Sequence, residues 1–176
     1  MIFFVYFLMH FILQFSLFKR RKKELNKLNL YSVATGELIP ITKVNDEVFS
    51  KKMLGDGYAV KPKDDNIYSP IKGEVVSVFP TKHAIGLKND CGIEVLVHIG
   101  IDTVNLKGEP FEVFVKAGDI VDNNTLLATV NLNVLEEKEI ISDVLVIITS
   151  DSYKNLEMFQ YGQVEAGHII GSLHLR

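Results

Sequence analysis

Tryptophan is absent from the 176-residue chain, and cysteine occurs once. A single thiol, Cys91, excludes an internal disulfide, so a reducing cytosol is the default setting. Cys91 sits in the polar stretch Asn89-Asp90-Cys91-Gly92 with no base near it in sequence. It reads as a turn residue rather than a nucleophile. Positive charge is in deficit as well. The net charge is −3, and residues 19–27 alone contribute +5 through Lys19, Arg20, Arg21, Lys22, Lys23 and Lys27 against Glu24, which leaves −8 on the remainder. An acidic remainder excludes most nucleic-acid binders. Hydrophobic residues make up 47 % of the chain, enough for a sizeable core. The length predicts one domain plus a tail, while composition alone does not choose a fold class.

Residues 2–18, IFFVYFLMHFILQFSLF, form a 17-residue run broken only by His10, Gln14 and Ser16. A spanning helix needs about 20 apolar residues, with roughly 17 as the lower edge. The basic cluster follows the run, where a secretory signal would want it in front. Three readings stay open. The run is a short membrane anchor whose Lys/Arg flank keeps the domain in the cytoplasm, or an interfacial segment with the basic cluster on anionic headgroups, or an upstream extension with translation starting at Met9. Membrane association, if any, is expected through residues 1–23. Lys19 to Leu30 reads as a polar tether, so the domain is expected to span residues 31–176.

Past the tether, helical periodicity is scarce. Short β-branched runs recur between Gly, Asn and Asp: Val75–Phe79, Ile93–Ile99, Phe111–Val115, Thr125–Val130, Val144–Thr149 and Ile169–Leu175. This pattern predicts an all-β fold, an antiparallel β-sandwich or barrel, with short helical turns near Asp46–Met53 and Ser152–Phe159. Internal echoes point to a duplicated β unit. Ser32-Val-Ala-Thr-Gly36-Glu37 lines up with Ser69-Pro-Ile-Lys-Gly73-Glu74, and Ala117-Gly118-Asp119-Ile120 with Ala166-Gly167-His168-Ile169.

Two histidines carry the chemistry. Thr81-Lys82-His83-Ala84-Ile85-Gly86-Leu87-Lys88 and Ile93-Glu94-Val95-Leu96-Val97-His98-Ile99-Gly100 flank a polar loop, a hairpin signal. If Lys88 pairs with Ile93, then Ile85 faces Leu96 and His83 faces His98, with all four on one face and Cβ atoms about 4.5–5.5 Å apart across the ladder. Two such imidazoles could share a metal, carry a phosphoryl group, or be ordinary satisfied residues of a sheet. Catalytic zinc usually takes three protein ligands, and neither H-E-x-x-H nor H-x-H occurs. No metal or cofactor is expected; zinc between His83 and His98 would need ligands from a second protein.

The run Val97-His98-Ile99-Gly100-Ile101-Asp102-Thr103-Val104, continuing to Leu106-Lys107-Gly108, resembles the glucose-type enzyme IIA family of the bacterial phosphoenolpyruvate-dependent sugar phosphotransferase system. Thr81-Lys82-His83-Ala84, Met53-Leu54-Gly55-Asp56-Gly57, Ala59-Val60-Lys61-Pro62, Ser69-Pro70 with Gly73, Gly118-Asp119 and Leu135-Glu136 match too, so the resemblance covers about residues 31–176. It implies a phosphotransferase with a phosphohistidine intermediate. His98 would carry the phosphoryl group on Nε2, His83 would stabilise it, Thr81 would orient His83, and the carbonyl of Gly100 would hold the other nitrogen of His98. Phe49, Val48, Phe79, Ile85, Leu96 and Val104 would form an apolar docking depression, with Asp102 at its side repelling the phosphate onward. The implied partners are the phosphocarrier HPr and an enzyme IIB domain. Regulatory partners reading the phosphorylation state are a rival. A lipoyl- or biotinyl-type carrier is disfavoured, because Lys52-Met53 lacks the preceding Met of Met-Lys-Met.

Overall fold

The structure is a computed structural model that describes residues 26–176, so the apolar run and Lys19–Lys23 lie outside the described residues. Among the described residues there are fourteen strands: β1 (Lys27–Tyr31), β2 (Gly36–Pro40), β3 (Asp56–Pro62), β4 (Asn66–Tyr68), β5 (Gly73–Val78), β6 (Ala84–Lys88), β7 (Glu94–Ile99), β8 (Phe111–Val113), β9 (Ile120–Val121), β10 (Leu126–Val130), β11 (Val144–Ile148), β12 (Tyr153–Met158), β13 (Gly162–Val164) and β14 (Ile169–Leu175). Eight form one antiparallel sheet in the order β13-β2-β3-β11-β7-β6-β5-β9, with smaller sheets β1-β14-β12 and β4-β10-β8. The all-β expectation is met as open packed sheets rather than as a closed barrel.

Side-chain alternation gives the large sheet two unequal faces. Val95, Val97 and Ile99 of β7, Ile85 and Leu87 of β6, and Val144, Val146 and Ile148 of β11 point into the main core. The intervening residues Leu145 and Ile147 join Ile39, Ile41, Phe49, Ala59 and Ile101 in a smaller cluster on the opposite face, with Leu96 at its edge. β11 therefore reads Val-Leu-Val-Ile-Ile without a polar residue, because both its faces are covered.

The short helix α1 (Glu47–Ser50) closes over the smaller cluster. Asp46 caps it, with one carboxylate oxygen accepting from the backbone N–H of Val48 at 2.8 Å and of Phe49 at 3.1 Å. The helical turn expected at Ser152–Phe159 is instead β12, which pairs with β14. Ladder pairing and the partial burial of Tyr153, Leu156 and Met158 against the core outweigh its weak helical pattern. A second helix, α2 (Leu132–Glu137), was not expected; Asn131 caps it and Leu135 anchors it in the core.

The expected tether is also shortened. Lys27–Leu30 belong to β1, paired with β14, because Leu30 is fully buried and Leu28 packs against the same core. The internal echoes are structural. Ser32 and Ser69 are both fully buried, and each hydroxyl donates to the carbonyl two residues on, Ala34 and Ile71, at 2.7 Å. The two segments also bond each other reciprocally, Tyr31 N–H to the Pro70 carbonyl at 2.9 Å and Tyr68 N–H to that of Val33 at 2.8 Å. A Cβ at Gly36 or Gly73 would collide with the Lys61 or Lys88 carbonyl of the adjacent strand.

Candidate functional site

The β6–β7 hairpin is offset by one residue from the expected register. Lys88 pairs with Glu94 and Ala84 with His98. The cause is Asn89, whose N–H donates to the Ile93 carbonyl at 3.0 Å and whose side-chain oxygen accepts from Cys91 N–H and Ile93 N–H. That closes a three-residue loop with Gly92 at φ +81, a favoured hairpin connection. The slip sends Ile85 to the other face. Ile85 is 0 % exposed in the main core, so it cannot belong to a docking surface.

The two rings nevertheless meet. His83 and His98 have ring centroids 5.0 Å apart and planes at 81°, an edge-on pair. His83 lies just before β6, outside the ladder, so strand alternation does not fix its side. The Thr81 hydroxyl is 2.6 Å from His83 Nδ1. Phe49 stacks obliquely on His98 at 5.1 Å and Phe79 meets His83 edge-on at 5.4 Å. Of the expected docking residues, Val48 and Phe79 are each 41 % exposed and Val104 is 47 % exposed, while Phe49 is buried and Leu96 half-buried. Asp102 is exposed, with φ +58.

Burial pushes the His98 pKa down to about 4; the charge of His83 adds to this, while the Gly100 carbonyl and the Asp46 and Asp102 carboxylates oppose it. Burial lowers His83 as well. Near neutral pH both rings are therefore uncharged, each with one nitrogen protonated and the other bearing a lone pair. His98 Nδ1 is buried without a hydrogen-bond partner. The Gly100 carbonyl faces the His98 ring closely enough to favour its charged form, as expected of the group that holds the other ring nitrogen, although Nδ1 falls short of strict hydrogen-bond geometry. Gly100 itself has φ +74, and a Cβ there would strike the Thr103 methyl. Thr103 is buried and its hydroxyl donates to the Ile99 carbonyl at 2.5 Å, which pins the turn after His98.

Among the described residues, no group of three or more His, Cys, Asp or Glu side chains is arranged to hold a metal ion. Asp46 is the site residue that sequence reasoning passed over. Its signal was an Asp directly before Glu-Val-Phe, a helix cap, and nothing in the linear order tied it to His98, 52 positions on.

The chain matches the family model for the phosphoenolpyruvate-dependent sugar phosphotransferase system, EIIA 1, over residues 28–153. This chain belongs to that EIIA family. The glucose-specific EIIA component of Oceanobacillus iheyensis is 41 % identical over 153 residues, covering 86 % of this chain and 93 % of the relative. The glucose-specific EIICBA component of Streptococcus pneumoniae is 42 % identical over 147 residues, and the EIIA chain spans about a fifth of its length, 20 %. Among solved structures, the glucose permease IIA from Mycoplasma capricolum superposes with a TM-score of 0.78 at 38 % identity, covering 83 % of this EIIA chain and 95 % of that one. Among the described residues of this EIIA, no helix is long and apolar enough to cross a membrane.

Proposed function

We propose that this EIIA takes a phosphoryl group from the phosphorylated histidine of HPr onto Nε2 of His98 and passes it to a cysteine of an enzyme IIB domain, which phosphorylates the incoming sugar. The observation that carries this reading is the edge-on imidazole pair, 5.0 Å apart, in which His98 stays neutral down to a pH of about 4 and His83 is held by Thr81. A buried Nδ1 leaves Nε2 as the attacking atom. In the first step its lone pair forms a P–N bond as the bond from phosphorus to the HPr imidazole breaks, and that imidazole leaves with the electron pair. In the second, a IIB thiolate forms the P–S bond and the His98 ring departs with the pair. Both are in-line transfers in which positioning and electrostatics supply the catalysis.

His83 stabilises the transferring group. With the Thr81 hydroxyl donating to Nδ1, the His83 proton sits on Nε2 and is donated to a phosphoryl oxygen. The Asp46 and Asp102 carboxylates repel the phosphoryl dianion and favour its onward passage. Val48, Phe79 and Val104, with Phe49 and Leu96 beneath, form the apolar ring against which HPr and the IIB domain dock in turn, keeping water from the phosphohistidine. No metal or nucleotide takes part, and zinc at the two imidazoles would need ligands from another protein. The reading puts the site on the cytoplasmic side, with residues 1–23 able to associate with the membrane. The matched relatives include glucose-specific and glucoside-specific proteins at 42 % and 43 % identity, which fits a sugar choice made outside this unit.

The test is transfer of labelled phosphate from phospho-HPr to the full chain and then to a IIB domain. His98→Ala should take no label, and label on that variant at the wild-type rate would refute the carrier role.

A further inference from the structure

Lys82, directly before His83, has φ +56, and within residues 79–84 it alone has a positive φ. Side chains other than Gly, Asn and Asp seldom occupy this left-handed region. The loop around it is closed at both ends. Lys82 N–H donates to the Phe79 carbonyl at 2.8 Å, and Phe79 N–H to the Ala84 carbonyl at 3.0 Å. Beyond the loop, Ile99 N–H donates to the His83 carbonyl at 2.8 Å, so the His83 backbone is still tied to β7.

Strand geometry makes a definite demand here. Ala84 pairs with His98, and Ile85 points into the main core. Continuing β6 backwards with ordinary alternation would turn His83 to the core side, away from His98. The rings instead meet at 5.0 Å and the His83 ring reaches the Thr81 hydroxyl. Other left-handed residues cluster on the same rim, with Gly100 at +74, Asp102 at +58 and Lys107 at +54. Unfavourable backbone conformations persist where the surrounding structure enforces them, and they gather at functional sites.

We infer that Lys82 is a positioning residue whose left-handed backbone, and not its charge, delivers the His83 ring to the His98 face and to Thr81. The inference deepens the phosphocarrier reading and rests on it for its consequence in transfer. The placement of the ring is a property of the free protein.

Lys82→Gly, Lys82→Asn, Lys82→Ala and Lys82→Val in the full chain separate backbone from charge, since all four remove the ammonium group. Gly and Asn accept a positive φ readily, Ala less so, and β-branched Val least. Two quantities are read: the titration of the imidazole resonances by NMR, and the rate of phosphoryl passage from the phosphorylated variant to a IIB domain. The Gly and Asn variants are expected to keep the wild-type His98 titration and to pass phosphate within about twofold of wild type. Val is expected to slow passage about tenfold or more and to raise the His98 midpoint, because a displaced His83 no longer opposes its protonation. Ala falls between, and keeps the series readable should Val not fold. The inference is overturned if Gly and Asn are as slow as Val, or if Ala and Val match wild type in both readings. Failure of the wild-type chain to accept phosphate from phospho-HPr would instead sink the carrier reading, and the NMR titrations would still decide where His83 stands.

Discussion

The two faces of strand β7 differ in what each tolerates. On one, Val95, Val97 and Ile99 are sealed against β6, β11 and the smaller sheets. On the other, Leu96 and His98 lie half-covered beneath α1 and beside the loop that brings His83. Adjacent residues in one strand thus serve separate ends. The sealed face supplies the apolar burial that holds the sheet, at roughly 25 cal/mol for each Å² removed from water. Because it does so, the other face can keep a buried ring nitrogen without a hydrogen-bond partner, and several left-handed residues, without losing the fold. The cost is borne by the core; the chemistry sits one side chain away.

Substitutions on the two faces should therefore fail in different ways. His98→Ala is expected to abolish phosphate acceptance while changing the thermal midpoint little, because it removes a partly buried ring and an unsatisfied nitrogen together. A variant that also melted early would show that the faces are not separable. Ile85→Ala is the converse. It should cost about 3 kcal/mol of stability by opening a cavity in the main core, read by denaturant unfolding, while the folded fraction still accepts phosphate. Loss of acceptance in a folded Ile85→Ala protein would put Ile85 back at the site.

The next effect is confined to the site face. His83→Gln should still accept phosphate from phospho-HPr but pass it to a IIB domain roughly a hundredfold more slowly, since one transition-state donor is lost or misplaced. Equal slowing of both steps would argue against unequal roles for the two histidines.

How much of this was legible in the sequence depended on whether the signal was local. The main strands could be read because their β-branched runs are interrupted by turn residues, and the duplication because Ser32 and Ser69 repeat with their following glycines. The hairpin register was misread by one residue because it hangs on a side chain: the Asn89 amide oxygen, accepting from Cys91 and Ile93, shortens the loop. The meeting of His83 and His98 was expected from direct cross-strand pairing, yet it arises from the bend before β6. The proximity was therefore right and its cause was not. β12 was missed because Tyr-Lys-Asn-Leu-Glu-Met takes its strand form from β14, and Asp46 because its nearness to His98 exists only after folding.

The faces also differ in their response to pH, and the sign can be worked out. The pKa of His98 is depressed from the ordinary 6.5 to about 4, so in that interval the unfolded chain binds a proton that the native chain does not. Stability linked to His98 is present above pH 6.5 and is lost as pH falls through about 4. His83, also lowered, adds in the same direction. Thermal midpoints should rise from pH 4 to 6.5 in the wild type, and less so in His98→Ala. Acceptance, which needs the neutral ring, should stay level below pH 6.5 and fall only as the pH approaches about 4, if the donor is held in its phosphorylated form. A steep fall just below pH 6.5 would mean that His98 titrates like an exposed histidine.

The smallest effect separates two roles of Asp46. Its carboxylate caps α1, which carries Phe49 against His98, and its charge raises the His98 pKa against the pull of burial. Asn can cap a helix as well as Asp, so Asp46→Asn should leave stability nearly unchanged while shifting the His98 titration further down. Asp46→Ala removes both roles and should cost about 1 kcal/mol in addition. The variants are compared by the NMR titration of His98 and by unfolding. If both move the titration equally and only Ala lowers stability, charge and cap act independently. If Asn leaves the titration in place, the carboxylate reaches His98 only by holding Phe49 over it.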